Sequence, residues 1–256
     1  ALALMAHSHI RFSQPLQITG TCGVSLGADP RRIKTQDYPI TTPIFLYMPM
    51  RRLPKIARDF LAYTSTSSAQ AVIERAGFIN QSLEEVPLNQ QGDRLAQAVL
   101  VAGLGPVDAN TTKPAAAEEI SGSVTTLQDL QAMLTFLAPL KRVTMSFRFL
   151  SGSSHLDAQS RANINRLATV LESGAYDGRK LAFVGFSDGM GHASDNLEIA
   201  QKRAETVRDA VLKSAEAINL DRIDISTTAF GEAMPMACDD TDWGRNINRR
   251  VEIWVR

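Results

Sequence analysis

Residues 180–204, KLAFVGFSDGMGHASDNLEIAQKRA, decide the architecture. The run Lys180–Phe186 is apolar without alternation, the pattern of a strand covered by helices on both faces. Asp188 therefore emerges at its carboxyl end, the edge where open α/β sheets present their ligand loops. Gly189 and Gly191 let the chain turn tightly there, and Ser194, Asp195 or Asn196 is expected to cap the next helix. Leu197, Ala200, Ala204, Val207 and Val211 recur at helical spacing, so they form the face that packs on the sheet. Asn196, Ile199 and Arg203 share one line of that helix, which carries the Arg203 guanidinium toward the Asp188 loop. A guanidinium fork takes a carboxylate bidentately, and a carboxylate accepts from an ammonium. The pair thus suits the zwitterionic end of a diamino acid, with a purely structural salt bridge as the competing reading.

Working outward, Val143, Met145, Phe147 and Phe149 alternate as a strand, and Ile164, Leu167, Ala168 and Leu171 line a helix. Ile223, Ile225, Thr227 and Ala229 mark a further strand, and Val251–Val255 the last one. The expected class is α/β, a βαβαββ mixed sheet covered by helices. On the last strand Val251, Ile253 and Val255 share one face; Arg250, Glu252 and Trp254 share the other, which reads as a solvated face. Asp239, Asp240 and Asp242, followed by Arg245, are expected to start a short helix before it.

The stretch from Gly185 to Ala204 resembles the peptidoglycan-binding signature of the OmpA-like C-terminal domain family, GHTD followed by an asparagine and LSxxRA. Phe230-Gly231-Glu232 and the run Gly244–Ile253, GRNINRRVEI, are similar to that family's GxGE and GRxxNRRVEI elements. Phe147-Arg148-Phe149 and Ser153-Ser154-His155-Leu156 resemble its opening strand and loop. Several ordered motifs at compatible spacing make this a specific resemblance over roughly residues 141 to 256. It implies noncatalytic binding of the peptide stem of the cell wall, with Asp188 and Arg203 gripping diaminopimelate. Asn196, Asn248, Arg249 and Arg250 match further family positions and are assigned to the ligand pocket as its support. The chain departs from the pattern where Phe186 replaces the motif histidine, Ser187 its threonine, and Ile199-Ala200 the Leu-Ser pair.

Lysine plus arginine equals aspartate plus glutamate, 27 each in 256 residues, so no global basic field favours nucleic acid or an anionic membrane. No apolar run reaches the length of a transmembrane segment. The apolar residues Ala1–Ala6 lack a preceding basic region and are too few for a signal peptide, so the chain reads as a mature protein or a fragment. Cys22 and Cys238 stand far apart without metal-ligand spacing and are expected as free, partly buried thiols in different domains. His7, His9, His155 and His192 form no zinc signature, and no cofactor is implied. No nucleophile elbow, phosphate loop or His-Glu-x-x-His helix is present, so the chain is not expected to be an enzyme.

Upstream, Tyr38–Met48 reads as an apolar edge strand entered through prolines. A helix from about Pro54 carries Ile56, Ala57, Phe60 and Leu61, Thr64–Ser68 interrupts it, and a second helix ends at Gly77. This order resembles the closing portion of phosphate-type periplasmic substrate-binding proteins, over about residues 30 to 80. No phosphate-binding residue carries over. Gln90–Leu100 is expected helical, residues 103–123 are rich in turn formers and read as a linker, and Leu127, Leu130, Met133, Leu134 and Leu137 form a helix face that packs on a neighbouring domain. The expected organisation is a partial substrate-binding-protein-like α/β lobe over 1–102, a linker and packing helix over 103–140, and an OmpA-like domain over 141–256.

The leading expectation is a wall- or outer-membrane-associated protein of a Gram-negative-type periplasm, its C-terminal domain bound to peptidoglycan and its N-terminal region free to contact a small oxyanion or an envelope protein. The alternative is a periplasmic solute receptor for phosphate or another oxyanion, with the wall domain serving only for placement.

Overall fold

The computed structural model describes residues 9, 15–49, 51–101, 125–150, 153 and 155–256. The expected linker at 103–123 lies outside these, as do Ala1–Ala6 and His7. The chain divides into one unit within residues 1–17 and 27–83 and a second formed by 18–26 and 84–256.

In the first unit, α1 (Pro30–Lys34) is capped by Asp29, whose carboxylate accepts from the amides of Arg31 and Arg32. Helices α2 (Lys55–Thr64) and α3 (Ser67–Arg75) follow, with Thr66 capping α3 and Gly77 taking the positive φ, 85°, that ends it. The apolar residues Ile56, Phe60 and Tyr63 of α2 are exposed, as are Ile44, Leu46 and Tyr47. The expected strand at 38–48 does not form among the described residues. Pro39 and Pro43 lack the amide hydrogens a ladder needs, and the described residues of this unit contain no strand to pair with. The described residues of this unit therefore form helices and no strand, not an α/β lobe.

The second unit opens with a hairpin, β1 (Ile18–Thr19) and β2 (Ser25–Leu26), paired antiparallel. Then come β3 (Glu85–Pro87), α4 (Gly92–Val101), α5 (Leu127–Leu137), β4 (Lys141–Arg148), α6 (Ala158–Glu172), β5 (Lys180–Phe186), α7 (Ala193–Ser214), β6 (Asp224–Ala229), α8 (Asp242–Asn248) and β7 (Arg250–Val255). The five-stranded sheet has the order β3-β4-β7-β5-β6, with β5 and β6 parallel and every other pair antiparallel. This is the expected mixed α/β class, extended by β3, so the unit reaches well upstream of residue 141.

Each face of the sheet has its own helical cover. Phe183 and Leu181 of β5 and Val251, Ile253 and Val255 of β7 are fully buried, as are Ala200, Ala204, Val207 and Val211 of α7, which packs on β5. Gly185 makes that approach possible, since any Cβ there would collide with the carbonyl of Ala200. On the opposite face Ala182, Val184, Phe186 and Trp254 form one core with Leu130, Met133 and Leu137 of α5 and Ala98 of α4. Helix α5 therefore packs on the sheet of its own unit and not on a neighbouring domain.

The expectation of a solvated face on β7 is overturned by the same packing. Glu252, Arg250 and Trp254 have no exposed surface. Glu252 Oε1 accepts from Arg94 Nη2 at 2.5 Å and Arg250 Nε at 2.7 Å, Oε2 accepts from Trp254 Nε1 at 3.1 Å, and Arg142 Nε stands 3.2 Å away. Burial opposes its charge, but Arg142, Arg94 and Arg250 hold the carboxyl well below the usual range. An alternating strand reads as half-exposed only while nothing covers its polar face, and α4 brings Arg94 onto it from 158 residues away in sequence.

Candidate functional site

Asp188 follows the carboxyl end of β5 and is buried, with 7% of its surface exposed. The amides on either side of it are both committed. Ser187 N–H donates to Gly231 O at 2.8 Å, and Gly189 N–H donates to Asp239 Oδ2 at 2.7 Å. Asp188 is thereby aimed by one downstream segment, 231–239. Its Oδ2 accepts from Arg249 Nη1 at 2.9 Å, and its Oδ1 accepts from the Met190 amide at 3.2 Å.

The expected partner, Arg203, is placed differently. Its guanidinium lies 5.4 Å from the ring centre of Phe149, just beyond β4, and makes no hydrogen bond or ion pair with any described residue. Burial and the like charge of Arg249 push its pKa down, and Asp188 acts in the opposite direction. Arg203 therefore belongs to the same electrostatic group as Asp188 and Arg249, but Arg249, not Arg203, closes the ion pair. Two guanidinium groups around one carboxylate leave a half-buried cationic position next to an anion, which suits a carboxylate from outside.

Asn196 sits in the first turn of α7 and donates to Glu232 Oε2 at 3.3 Å. Helix α7 starts at Ala193 with His192 as a cap that makes no side-chain hydrogen bond, so the expected capping by Ser194, Asp195 or Asn196 does not occur. Asn248 and Arg250 have no exposed surface and cannot touch a ligand. Asn248 instead ties down the segment before α8: its Oδ1 accepts from the amides of Met236 and Ala237 at 2.7 and 3.1 Å, and its Nδ2 donates to Ala237 O and Asp239 Oδ1, both at 2.8 Å. Arg250 donates to Glu252 and to Met234 O, with its guanidinium 4.2 Å from the Phe186 ring centre. Phe186 thus serves as a stacking surface for Arg250 on the α5 side of the sheet.

Two parts of the site escaped sequence reading. Asp239 reads as a helix-start acid, yet it is the acceptor for Gly189, and burial together with nearby Asp188 raises its pKa against the hydrogen bonds from Asn248 and Gly189 and the charge of Arg245. Cys22 and Cys238, expected as free thiols in separate domains, form a disulfide with Cα atoms 5.5 Å apart, both within the second unit. A separation of 216 residues gives no local signal for such pairing.

Among the described residues no helix is long and apolar enough to cross a membrane, and no cluster of His, Cys, Asp and Glu could hold a metal ion.

Residues 148–249, which hold the strand-end acid and most of the mixed sheet, match the model of the OmpA family. The chain is 31% identical over 119 residues to outer membrane porin F of Pseudomonas aeruginosa, covering 46% of this chain and 33% of that protein. It is 32% identical over 113 residues to the outer-membrane lipoprotein YfiB of the same organism, covering 43% and 64%. The chain thus spans about a third of the length of the porin and under two thirds of the lipoprotein. Among solved structures, the peptidoglycan-associated lipoprotein of Burkholderia pseudomallei is 25% identical, with a TM-score of 0.37, over 43% of this chain and 89% of that one. The family match begins at residue 148 and lends no support to the phosphate-receptor resemblance of residues 30–80.

Proposed function

We propose that the chain is a noncatalytic cell-envelope protein whose OmpA-like domain binds the peptidoglycan stem peptide at diaminopimelate and so anchors the rest of the protein to the wall. The observation that carries this reading is Arg203. A half-buried guanidinium stacked on Phe149, with no hydrogen bond or ion pair to a described carboxylate, stands in the field of the Asp188–Arg249 pair. In the bound state Arg203 takes a carboxylate of the diamino acid through its two-pronged fork, and Arg249 adds a second positive charge to the same side. Asp188 accepts from the ammonium group, with Oδ1 the less committed of its two oxygens. The OmpA family match and the outer-membrane names of the relatives support a place in the envelope.

Calorimetry with a diaminopimelate-containing stem tripeptide tests the reading. Binding by the wild type that is lost in Arg203→Ala supports it. Equal heats from the wild type and Arg203→Ala would remove Arg203 from the site.

A further inference from the structure

The segment that aims Asp188 is itself fastened to the hairpin β1–β2, far upstream in the chain. At the hairpin tip Gly20 N–H donates to Val24 O at 2.9 Å, and Gly23 N–H donates to Gly20 O at 3.1 Å with φ of 84° at Gly23. Cys22 is exposed at this tip and bonded to the buried Cys238. Thr21 Oγ1 donates to Asp240 Oδ2 at 2.6 Å, so two successive hairpin residues grip two positions on either side of Asp239. Asp239 in turn accepts from Gly189, the residue after Asp188. Crowding fixes the joint further. A Cβ at Gly20 would meet Cys238 Sγ, and one at Gly244 would meet the Cys238 carbonyl. A continuous set of bonds therefore runs from an exposed disulfide to the loop that carries the ligand acid.

We propose that Asp239 is a positioning residue for the Asp188 clamp and that the Cys22–Cys238 disulfide makes the affinity of the clamp depend on thiol redox state. This inference rests on the stem-peptide reading for its ligand, but the positioning itself is independent of it. With the bridge closed, Cys238 cannot move away from the hairpin, and Asp239 is held against the Gly189 amide. The Asp239 carboxylate is half-buried beside the like charge of Asp188, and the Gly189 and Asn248 hydrogen bonds hold it there against both effects. Opening the bridge thus removes one of the holds on the acid that fixes the Asp188 loop and loosens it, with Asn248 Nδ2 at 2.8 Å and Arg245 Nη1 on the Asp239 carbonyl at 2.6 Å as the holds that remain.

The chemistry of opening is ordinary thiol–disulfide exchange with an external dithiol. Its thiolate attacks Sγ of Cys22, the exposed residue of the pair; the S–S bond breaks, and Cys238 leaves as a thiolate that then takes a proton. The Cys22 amide, 3.0 Å from Cys238 Sγ, stabilises the departing charge. The second thiol of the reductant displaces Cys22 from the mixed disulfide, so the protein gains two electrons and two protons and the dithiol becomes a disulfide.

The test uses the full chain, oxidised, reduced with dithiothreitol and alkylated, and as the Cys22→Ser/Cys238→Ser variant, each checked by circular dichroism. Amide exchange at Ser187 and Gly189 is read without ligand, and binding of a diaminopimelate-containing stem tripeptide is read by calorimetry. Reduction is expected to speed Gly189 exchange and weaken binding by about tenfold each, a coupling of ordinary allosteric size. Dithiothreitol changes neither quantity in the double variant. Asp239→Ala reproduces the reduced state, and Asp239→Asn, which still accepts from Gly189, restores most of the affinity. Unchanged exchange and affinity in the folded, reduced protein would overturn the proposal. Exchange that responds in a protein that binds nothing would sink the stem-peptide reading and leave the positioning role standing.

Discussion

Asp188 forms its ion pair with Arg249, Oδ2 to Nη1 at 2.9 Å, while Arg203 stands over the Phe149 ring and interacts with Asp188 through charge alone. On the proposed reading the two arginines have different duties, one holding the acid in place and the other left for an incoming group.

That division predicts different phenotypes. Arg249→Ala leaves a nearly buried carboxylate without its cation and should cost about 3 kcal/mol of stability, read by urea unfolding. Arg203→Ala removes only a stacked, half-buried cation and should cost about 1 kcal/mol while abolishing ligand binding. Equal stability losses in the two variants would contradict the assignment.

Ligand chemistry supplies a second prediction. A lysine-type stem peptide has the ammonium but lacks the second carboxylate, so it loses the contact with Arg203. Its affinity should fall by about tenfold or more, the worth of one charge-assisted hydrogen bond. Competition between the two peptides measures this, and equal affinity would place the carboxylate elsewhere.

Glu252 should act on the fold alone. Glu252→Ala leaves Arg94, Arg142 and Arg250 around a buried void and is expected to cost about 3–5 kcal/mol with no specific effect on the site. The arginines hold the Glu252 carboxyl below its unfolded value, so its contribution is present above the unfolded pKa and is lost as the pH falls through the folded one. Stability of the wild type should decline on acidification below about pH 4, and the Glu252→Ala variant should show less of that decline.

Gly185 links packing to the site. A methyl group there would drive into the Ala200 carbonyl and push α7 off the sheet, carrying Arg203 with it. Gly185→Ala should lose about 1–3 kcal/mol and bind the stem peptide more weakly. A thermal melt and a calorimetric titration check the two effects, and a variant with unchanged melting would argue against the tight helix–strand contact.

The sequence made β5, α7 and the Asp188 loop legible because their signals are local: an unbroken apolar run, two glycines and a stripe at helical spacing. The same local grammar located α8, although Thr241 supplies its cap in place of the aspartates. What it could not supply were partners set by distant packing. Arg249 competes with Arg203 for Asp188 through a contact 61 residues long. Cys22 meets Cys238 because β1–β2 docks beside the segment before α8, and no pattern near either cysteine records that. The β7 charges looked solvated because a single strand does not reveal that α4 and α5 cover its second face. The segment at 38–48 shows the converse: extended, apolar chain reads as a strand wherever it occurs, but it becomes one only beside another strand.

Co-sedimentation with purified diaminopimelate-type sacculi tests the central claim most directly, with wild type, Arg203→Ala and Asp188→Asn run side by side and free diaminopimelate as competitor. The account predicts retention of the wild type, loss of retention in both variants, and release by the competitor. Retention that survives both substitutions and the competitor, or a folded wild type that stays in the supernatant, would contradict it.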